Sequence, residues 1–343
     1  MSKRPPVYKE YGKSYHADTC QSLVAAAQSG RVRLKALARG SYPGARLHPA
    51  ALPGISSIGY WDAAGRQDWG LDWHRNEGIE LTFLETGSIS FSVHDQEFRL
   101  KPGDLTITRP WQPHRVGNPH LSAGKLHWLI LDVKVRRPNQ PWQWPEWLVL
   151  TRSDLKELTT ILRHNEQPVW PASTALKSCF QKLARTLDAS EHAISISRLT
   201  AYLNELFVLL LELLRQQEVK LDSTLSSTLR TVSLFLADLR ENREYLAQPW
   251  TMETMARQCG LGETRFLHYC RELTNLTPVR YLNQCRVETA ARMLLEQPQR
   301  NVTEVAFDCG FSSSQYFATV FSQHFQCTPS QYRARCLSSR NFF

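Results

Sequence analysis

Glu253-Thr-Met-Ala256-Arg-Gln-Cys259-Gly260-Leu261 is echoed fifty positions later by Thr303-Glu-Val-Ala306-Phe-Asp-Cys309-Gly310-Phe311. Each copy runs into a short amphipathic pattern and closes on Thr-Pro-x-x-Tyr, at Thr277-Pro278…Tyr281 and again at Thr328-Pro329…Tyr332, so the second copy carries one extra residue after its turn. Thr251 stands where a side-chain oxygen caps a helix, and Gly260 stands where that helix stops. The next helix opens at Gly262 or Glu263, with Phe266, Tyr269, Cys270 and Leu273 as its inner stripe. Thr264, Arg265, Leu267, His268 and Arg271 are left on or beside the outer face. In the second copy Val302, Val305 and Ala306 point inward, as do Phe317, Val320 and Phe321, and Ser314, Gln315, Ala318, Thr319 and Ser322 point outward. Two helix-turn-helix units on one chain predict two contacts with the major groove of DNA.

The stretch between the copies, Pro278 to about Leu295, reads as one helix with proline in its first turn. At ~1.5 Å per residue it is a strut about 27 Å long, close to one duplex turn of ~34 Å. Gln315 is the best placed side chain for a base edge, since an amide pairs bidentately with adenine. Arg265 and Arg271 suit phosphates, which orient a protein without reading sequence.

The region from about 226 to 335 resembles the AraC/XylS family of transcription regulators. The match is carried by Ala306-Phe-Asp-Cys-Gly-Phe-Ser-Ser, Tyr316-Phe, Val320-Phe321, Phe325 and Thr328-Pro-Ser-Gln-Tyr-Arg333. The resemblance implies a seven-helix domain in which a central helix joins two helix-turn-helix units, with the outward residues above facing DNA. The chain departs from the family at Cys270, where phenylalanine is usual, and at Leu267 and His268, where polar or basic residues are commoner.

Composition frames this reading. A chain of 343 residues suggests two domains. The net charge of +9 suits a polyanionic partner. From Ser223 onward, however, thirteen arginines face ten acidic residues and no lysine occurs, so DNA contact must rest on local placement of arginine. The opening Met1-Ser-Lys-Arg-Pro-Pro lacks the apolar core of a signal peptide, and Leu206 to Leu211 is far too short for a bilayer. A cytoplasmic protein with no membrane partner is expected. The eight cysteines form no Cys-x-x-Cys, which argues against a zinc site or a disulfide framework.

Between Ile55 and Val135 the texture is β. Short apolar alternations at Ile79–Leu84, Ser88–Val93, Glu97–Leu100, Asp104–Thr108 and Leu126–Leu131 are separated by turns at Thr86-Gly87, His94-Asp-Gln, Lys101-Pro-Gly-Asp104 and Arg109-Pro-Trp-Gln-Pro-His114. That spacing predicts a sandwich or small barrel. A helix near Asp18–Gln28 and a strand near Arg31–Ala38 precede it. Helices over about 152–165, 173–188 and 194–217 follow. The apolar stripe of the last is wide enough that it is either buried on most sides or packed on a partner subunit.

His74-Arg-Asn76-Glu-Gly-Ile-Glu80, with Gly87 seven residues on, is similar to the first cupin motif, with Asn76 in the place of its second histidine. Pro110-Trp-Gln-Pro-His114-Arg115 resembles a compressed second motif. His74, Glu80 and His114 are candidate metal ligands, but the replaced histidine and the changed spacing argue against a metal, and no cofactor is expected. Trp73, His74, Glu80, Arg109, Trp111, His114 and His127 instead form an aromatic and polar set suited to a small polar effector such as a sugar.

The fold class that follows is α+β and multidomain. An N-terminal cupin-like barrel or jelly roll with flanking helices (1–222) would bind the effector and dimerise. A C-terminal all-α domain (223–343) would bind double-stranded operator DNA as a homodimer. The alternatives are an effector-independent regulator whose barrel only dimerises, and a metal-dependent cupin enzyme with a DNA-targeting domain.

Overall fold

The computed structural model describes residues 7–10, 13–94, 96–117, 120–189, 194–217 and 219–340. The opening residues 1–6, Asp95 of the His94 turn and Glu218 lie outside the described residues. The chain forms two compact units, one holding Tyr15–Arg136 and Gln140–Ser226 and the other Arg137–Asn139 and the described residues from Ser227 onward.

Thirteen strands are described, with α1 (Gln21–Gln28) between the second and third. They are β1 (Val7–Glu10), β2 (Lys13–His16), β3 (Arg33–Ala38), β4 (Ala45–Arg46), β5 (Ile55–Ala63), β6 (Leu71–His74), β7 (Ile79–Thr86), β8 (Ile89–Val93), β9 (Gln96–Leu100), β10 (Asp104–Thr108), β11 (His114–Val116), β12 (Gly124–Leu131) and β13 (Val169–Pro171). A seven-stranded sheet runs β13-β10-β7-β12-β5-β3-β4, and a four-stranded sheet runs β6-β11-β8-β9. The first unit is therefore a β-rich, cupin-like body made of two sheets, with helices α2 (Arg152–His164), α3 (Thr174–Leu187) and α4 (Ile196–Arg215).

Alternation along the strands builds two cores. On β12, Leu126, Trp128 and Ile130 join Trp61, Leu84 and Phe91 in the core between the sheets. Leu129 and Leu131, on the other face, join Phe83, Phe180, Phe207 and the leucines of α4. Successive strand side chains point to opposite faces, so one strand serves both cores. This second core accounts for the wide stripe of α4: Leu199, Leu203, Leu206, Phe207, Leu210, Leu211, Leu213 and Leu214 are all buried within the unit, and Val208 is exposed.

The second unit is all helix. It comprises α5 (Thr228–Glu241), α6 (Arg243–Leu246), α7 (Met252–Gln258), α8 (Glu263–Thr274), α9 (Pro278–Glu296), α10 (Val302–Asp308), α11 (Ser314–Phe325) and α12 (Pro329–Arg340). It has two cores, and α9 belongs to both. Tyr281, Leu282 and Cys285 pack with Met255, Ala256, Phe266 and Cys270. Val287, Ala290, Ala291 and Leu294 pack with Val305, Ala306, Phe317 and Phe321. A helix packed on two sides loses one-sided amphipathy.

Candidate DNA interface and barrel site

Each sequence repeat folds into the same local construction. Thr251 caps α7 by accepting the Thr254 N–H, and the side chain of Thr254 accepts the Thr251 N–H in return. Asn301 caps α10 through the Thr303 N–H. Gly260 and Gly310 turn each chain with φ of 67° and 88°, a region that L side chains resist. Gly310 is needed for space as well, because a Cβ there would lie 2.7 Å from the Ala247 carbonyl oxygen. The helices α8 and α11 that follow end alike, on left-handed Asn275 and Gln326.

On α8, Thr264, Arg265, His268 and Arg271 are exposed, Leu267 is half-buried, and Phe266 and Cys270 are buried. Leu273, expected inward, is exposed, because it falls in the last turn beyond the packed part of the helix. Among the described residues no ion pair holds Arg265 or Arg271. On α11, Gln315 and Thr319 are exposed, and Ser314, Ala318 and Ser322 are half-buried. Tyr316 is exposed, and its hydroxyl accepts from Asn283 of α9 at 2.7 Å, which fixes α11 against the central helix.

Arg286 lies at neither a phosphate-facing nor a solvated position. It is buried at the middle of α9, donates to the Gln248 carbonyl at 2.8 Å, and lies over the Phe311 ring. It thus satisfies carbonyls of the loop after α6 while supporting the turn of the second unit. Nothing in the repeat marked it, because the signal is a single arginine among several on one helix.

In the first unit, β6 and β11 pair so that His74 and His114 are cross-strand neighbours, with ring centroids 4.2 Å apart. Glu80 enters from β7 in the other sheet. Its inward position is shared by Thr82 and Leu84, two and four residues on. Ligand atoms of His74, Glu80 and His114 all lie within 4.8 Å of one another. Each histidine places Nδ1 on a backbone carbonyl, His74 on Asp72 at 2.6 Å and His114 on Gln112 at 2.9 Å. A carbonyl only accepts, so both Nδ1 atoms carry hydrogen. Asn76 donates to Glu80 at 2.7 Å and accepts from the Tyr42 hydroxyl.

Burial works against the charge on Glu80, yet His114, His74 and Asn76 hold its carboxyl below the usual range. Burial also works against a proton on His114, but Glu80 at 2.7 Å raises its pKa on balance. Burial and the neighbouring His114 push His74 down.

Two cavities adjoin this cluster. The interior one, lined by Tyr42, Trp61, His74, Asn76, Glu80 and Trp128 among others, holds only about 30 Å³. A hollow of about 440 Å³ is lined by His16, Ala17, Asp18, Thr19, Trp73, His74, Arg75 and Pro113. Trp73 is 47% exposed there, and Arg115 lies over its ring at 5.3 Å. The contribution of His16, Asp18 and Thr19 was not visible in the sequence, since the tertiary fold brings that segment to the hollow.

Three expected effector residues lie elsewhere. His127 follows an inward residue on β12, so it points to the helical side, where Nε2 donates to Glu85 at 2.7 Å among Tyr60, Phe83 and Phe180. Arg109 pairs with Glu166, ahead of β13. Trp111 is an anchor: its indole donates to Val135, its backbone N–H donates to Asn76, and its ring stacks on Tyr8. These contacts hold Trp111 at φ 64°, an unusual conformation for a bulky residue.

Residues 255–335 match the helix-turn-helix domain family, and residues 63–130 match the cupin domain family. The HTH-type transcriptional activator RhaS of Escherichia coli O1:K1 / APEC is 34% identical over 261 residues, covering 76% of this chain and 86% of that protein. An uncharacterised HTH-type transcriptional regulator of Haemophilus influenzae is 25% identical over 270 residues, covering 73% of this chain and 84% of that protein. Among solved structures, the DNA-binding domain of AdpA in complex with a target DNA is 29% identical, with a TM-score of 0.30, and covers 33% of this chain and 97% of that domain. Among the described residues no helix is long and apolar enough to cross a membrane.

Proposed function

The chain belongs to the AraC/XylS family of transcription regulators and is a DNA-binding regulator, not an enzyme; from that premise we propose that it activates transcription when a small, polar, sugar-like metabolite binds its β-rich unit. The activating sense follows the name of its Escherichia coli relative. Arg265, Arg271 and the other outward residues of α8 would engage one stretch of operator, and Ser314, Gln315, Ala318 and Thr319 of α11 the next. The protein would act in the cytoplasm as a homodimer, since operator recognition commonly pairs subunits.

The observation that carries the effector reading is the hollow of about 440 Å³ floored by an exposed tryptophan. Its size lies in the range of small-molecule sites. A sugar ring has an apolar face for Trp73 and hydroxyls for Asp18, Thr19, His74 and Arg75. The interior cavity has room for little more than one water. The effector reading therefore belongs to the hollow, with His74 and Glu80 behind it.

A ligand that binds only the folded state raises apparent stability, by about 2.7 kcal/mol at a hundredfold excess over Kd. A thermal-shift screen against neutral sugars and sugar acids should find a compound that raises Tm in the wild type and not in Trp73→Ala, and that compound should change operator binding in a gel shift. If no compound in such a screen shifts Tm while operator DNA still binds, the effector reading is lost and an effector-independent regulator with a dimerising barrel stands.

A further inference from the structure

We propose that Leu221–Ser226, the last stretch of the first unit, is a latch on the end of α2, and that the turn Arg109–His114 carries occupancy of the hollow to it. The second clause rests on the effector reading of the hollow, and the first does not. Leu221 pairs with Asn165 in an antiparallel bridge. The Asp222 N–H donates to the His164 carbonyl at 2.8 Å, and His164 Nε2 is hydrogen-bonded to the Ser226 hydroxyl at 2.8 Å. Asp222 also orders the segment itself, accepting the Thr224 N–H at 2.9 Å. Little apolar burial backs these contacts, since Leu221 is 48% exposed and none of Ser223–Ser226 is buried. A segment held in this way opens at lower free energy than the cores do.

The surface it grips is fixed. Leu158, Ile161 and Leu162 bury α2 in the core. Beyond the helix, the buried Asn165 side chain donates to the Gln167 carbonyl at 2.7 Å and accepts the Gln167 N–H at 3.0 Å. The Pro168 carbonyl accepts the Ile107 N–H of β10 at 2.9 Å. Glu166, two residues from His164, pairs with Arg109, the first residue after β10.

Arg109 opens a turn whose far end reaches the hollow. The Arg109 N–H donates to Gln112 Oε1, and the Gln112 N–H donates to the Arg109 carbonyl, each at 3.0 Å. Pro113 lines the hollow, and the Gln112 carbonyl holds His114. Trp111, between them, is pinned through its indole to Val135. A turn closed on itself passes a displacement at Pro113 on to Arg109, and so to Glu166 and the latch. Coupling requires an element with two arrangements and a ligand that favours one of them. The latch supplies that element, closed as here and open when Leu221–Ser226 leaves α2.

Trypsin reads the latch on the full-length protein, because Lys220 is the only lysine or arginine between Arg215 and Arg230. Where reclosing outpaces cleavage, the rate of the cut tracks the open population. The initial rate of cleavage after Lys220, followed by mass spectrometry, should rise about fivefold in His164→Ala and about threefold in Arg109→Ala. Each variant is first checked for a native circular dichroism spectrum, with Ser226→Ala as the substitute if His164→Ala does not fold. Arg109→Lys, which keeps the charge, should restore the slow cut, and Glu146→Gln, at an exposed carboxylate, should leave it unchanged. Wild-type rates in the folded alanine variants overturn the latch, and a rate in Arg109→Lys equal to that in Arg109→Ala overturns the part given to Arg109. A compound found in the screen of neutral sugars and sugar acids should change the wild-type rate and leave that of Arg109→Ala constant, while raising Tm in both. A bound compound that leaves the wild-type rate constant overturns the coupling. If no compound binds, the effector reading and the coupling fall together, and the alanine variants still decide the latch.

Discussion

Two residues separate what one side chain does from what its neighbourhood does. Gln315 is exposed on α11, where its amide can read an adenine. Gln315→Ala should cost about 1–3 kcal/mol of operator affinity, roughly 5- to 150-fold, and relax selectivity at one base pair. Affinity for random DNA should stay nearly constant in the same gel-shift series. His127 makes the opposite case. On sequence it belongs with the other histidines and tryptophans of the barrel, but a one-residue step along β12 sends it to the helical face. There His127 holds the Glu85 carboxyl well below the usual range, against the effect of burial, with Gln181 and Lys125 assisting. Burial pushes His127 down against the pull of Glu85. A carboxyl depressed in the folded state contributes stability above its unfolded value of about 4.3, and that contribution is lost as pH falls below it. A histidine depressed by burial acts in the same direction, losing stability as pH falls through its unfolded value of about 6.5. Urea midpoints should therefore drop from pH 7 to pH 3, and Glu85→Gln should flatten the part of that fall below about pH 4.3. An unchanged slope there would show that Glu85 is not responsible.

At the scale of elements, the two recognition helices share a sequence repeat but not a starting structure. Ser313 caps α11 by accepting the Tyr316 N–H at 3.2 Å. The matching position before α8 is Gly262, which offers no side-chain cap. Gly262 has φ −76° and ψ 156°, open to any residue, and an added Cβ would meet no atom within 4 Å. Gly262→Ser should raise unfolding free energy by about 0.5 kcal/mol, and Ser313→Ala should lower it by about 1 kcal/mol. Denaturant titration measures both, and a destabilised Gly262→Ser would mean the glycine serves close approach to another molecule. The repeat was legible because capping, turn and helix are local events that sequence spacing encodes. The outward residues of α8 and α11 were legible for the same reason, through the 3.6-residue period. The barrel was legible as texture, from alternation in β7, β8, β10 and β12, but not as a set of neighbours. His74 and His114 meet only through the register of β6 and β11, two strands of four and three residues that are too short to show a period. Arg109 and Trp111 were misread because proximity in sequence to His114 was taken for a shared facing, and a turn redirects side chains within a few residues.

For the molecule as a whole, the partition of its cores decides what can stand alone. The two cores of the helical unit draw every residue from Val232 onward, and the two cores of the β-rich unit draw none from that region. A fragment of residues 227–343 should therefore fold by itself, bind operator DNA, and show no response to any effector that acts on the full chain. Cutting further should fail. The central helix α9 contributes Tyr281, Leu282 and Cys285 to one core and Val287, Ala290 and Leu294 to the other. Buried Arg286 between them donates to the Leu246 and Gln248 carbonyls and lies over Phe311. A piece ending before α9 loses one side of its core, and a piece beginning at α9 exposes the tyrosine and leucine that face the missing half. At roughly 25 cal/mol per Å² of apolar surface, neither half of the unit withstands that exposure. The fragment 227–343 should accordingly melt in one transition, with far-UV circular dichroism and tyrosine or tryptophan fluorescence changing together. Two separated transitions, one reported by Trp250 and the other only by helicity, would show that the helix-turn-helix units fold independently and that α9 is a tether between them, not a shared core.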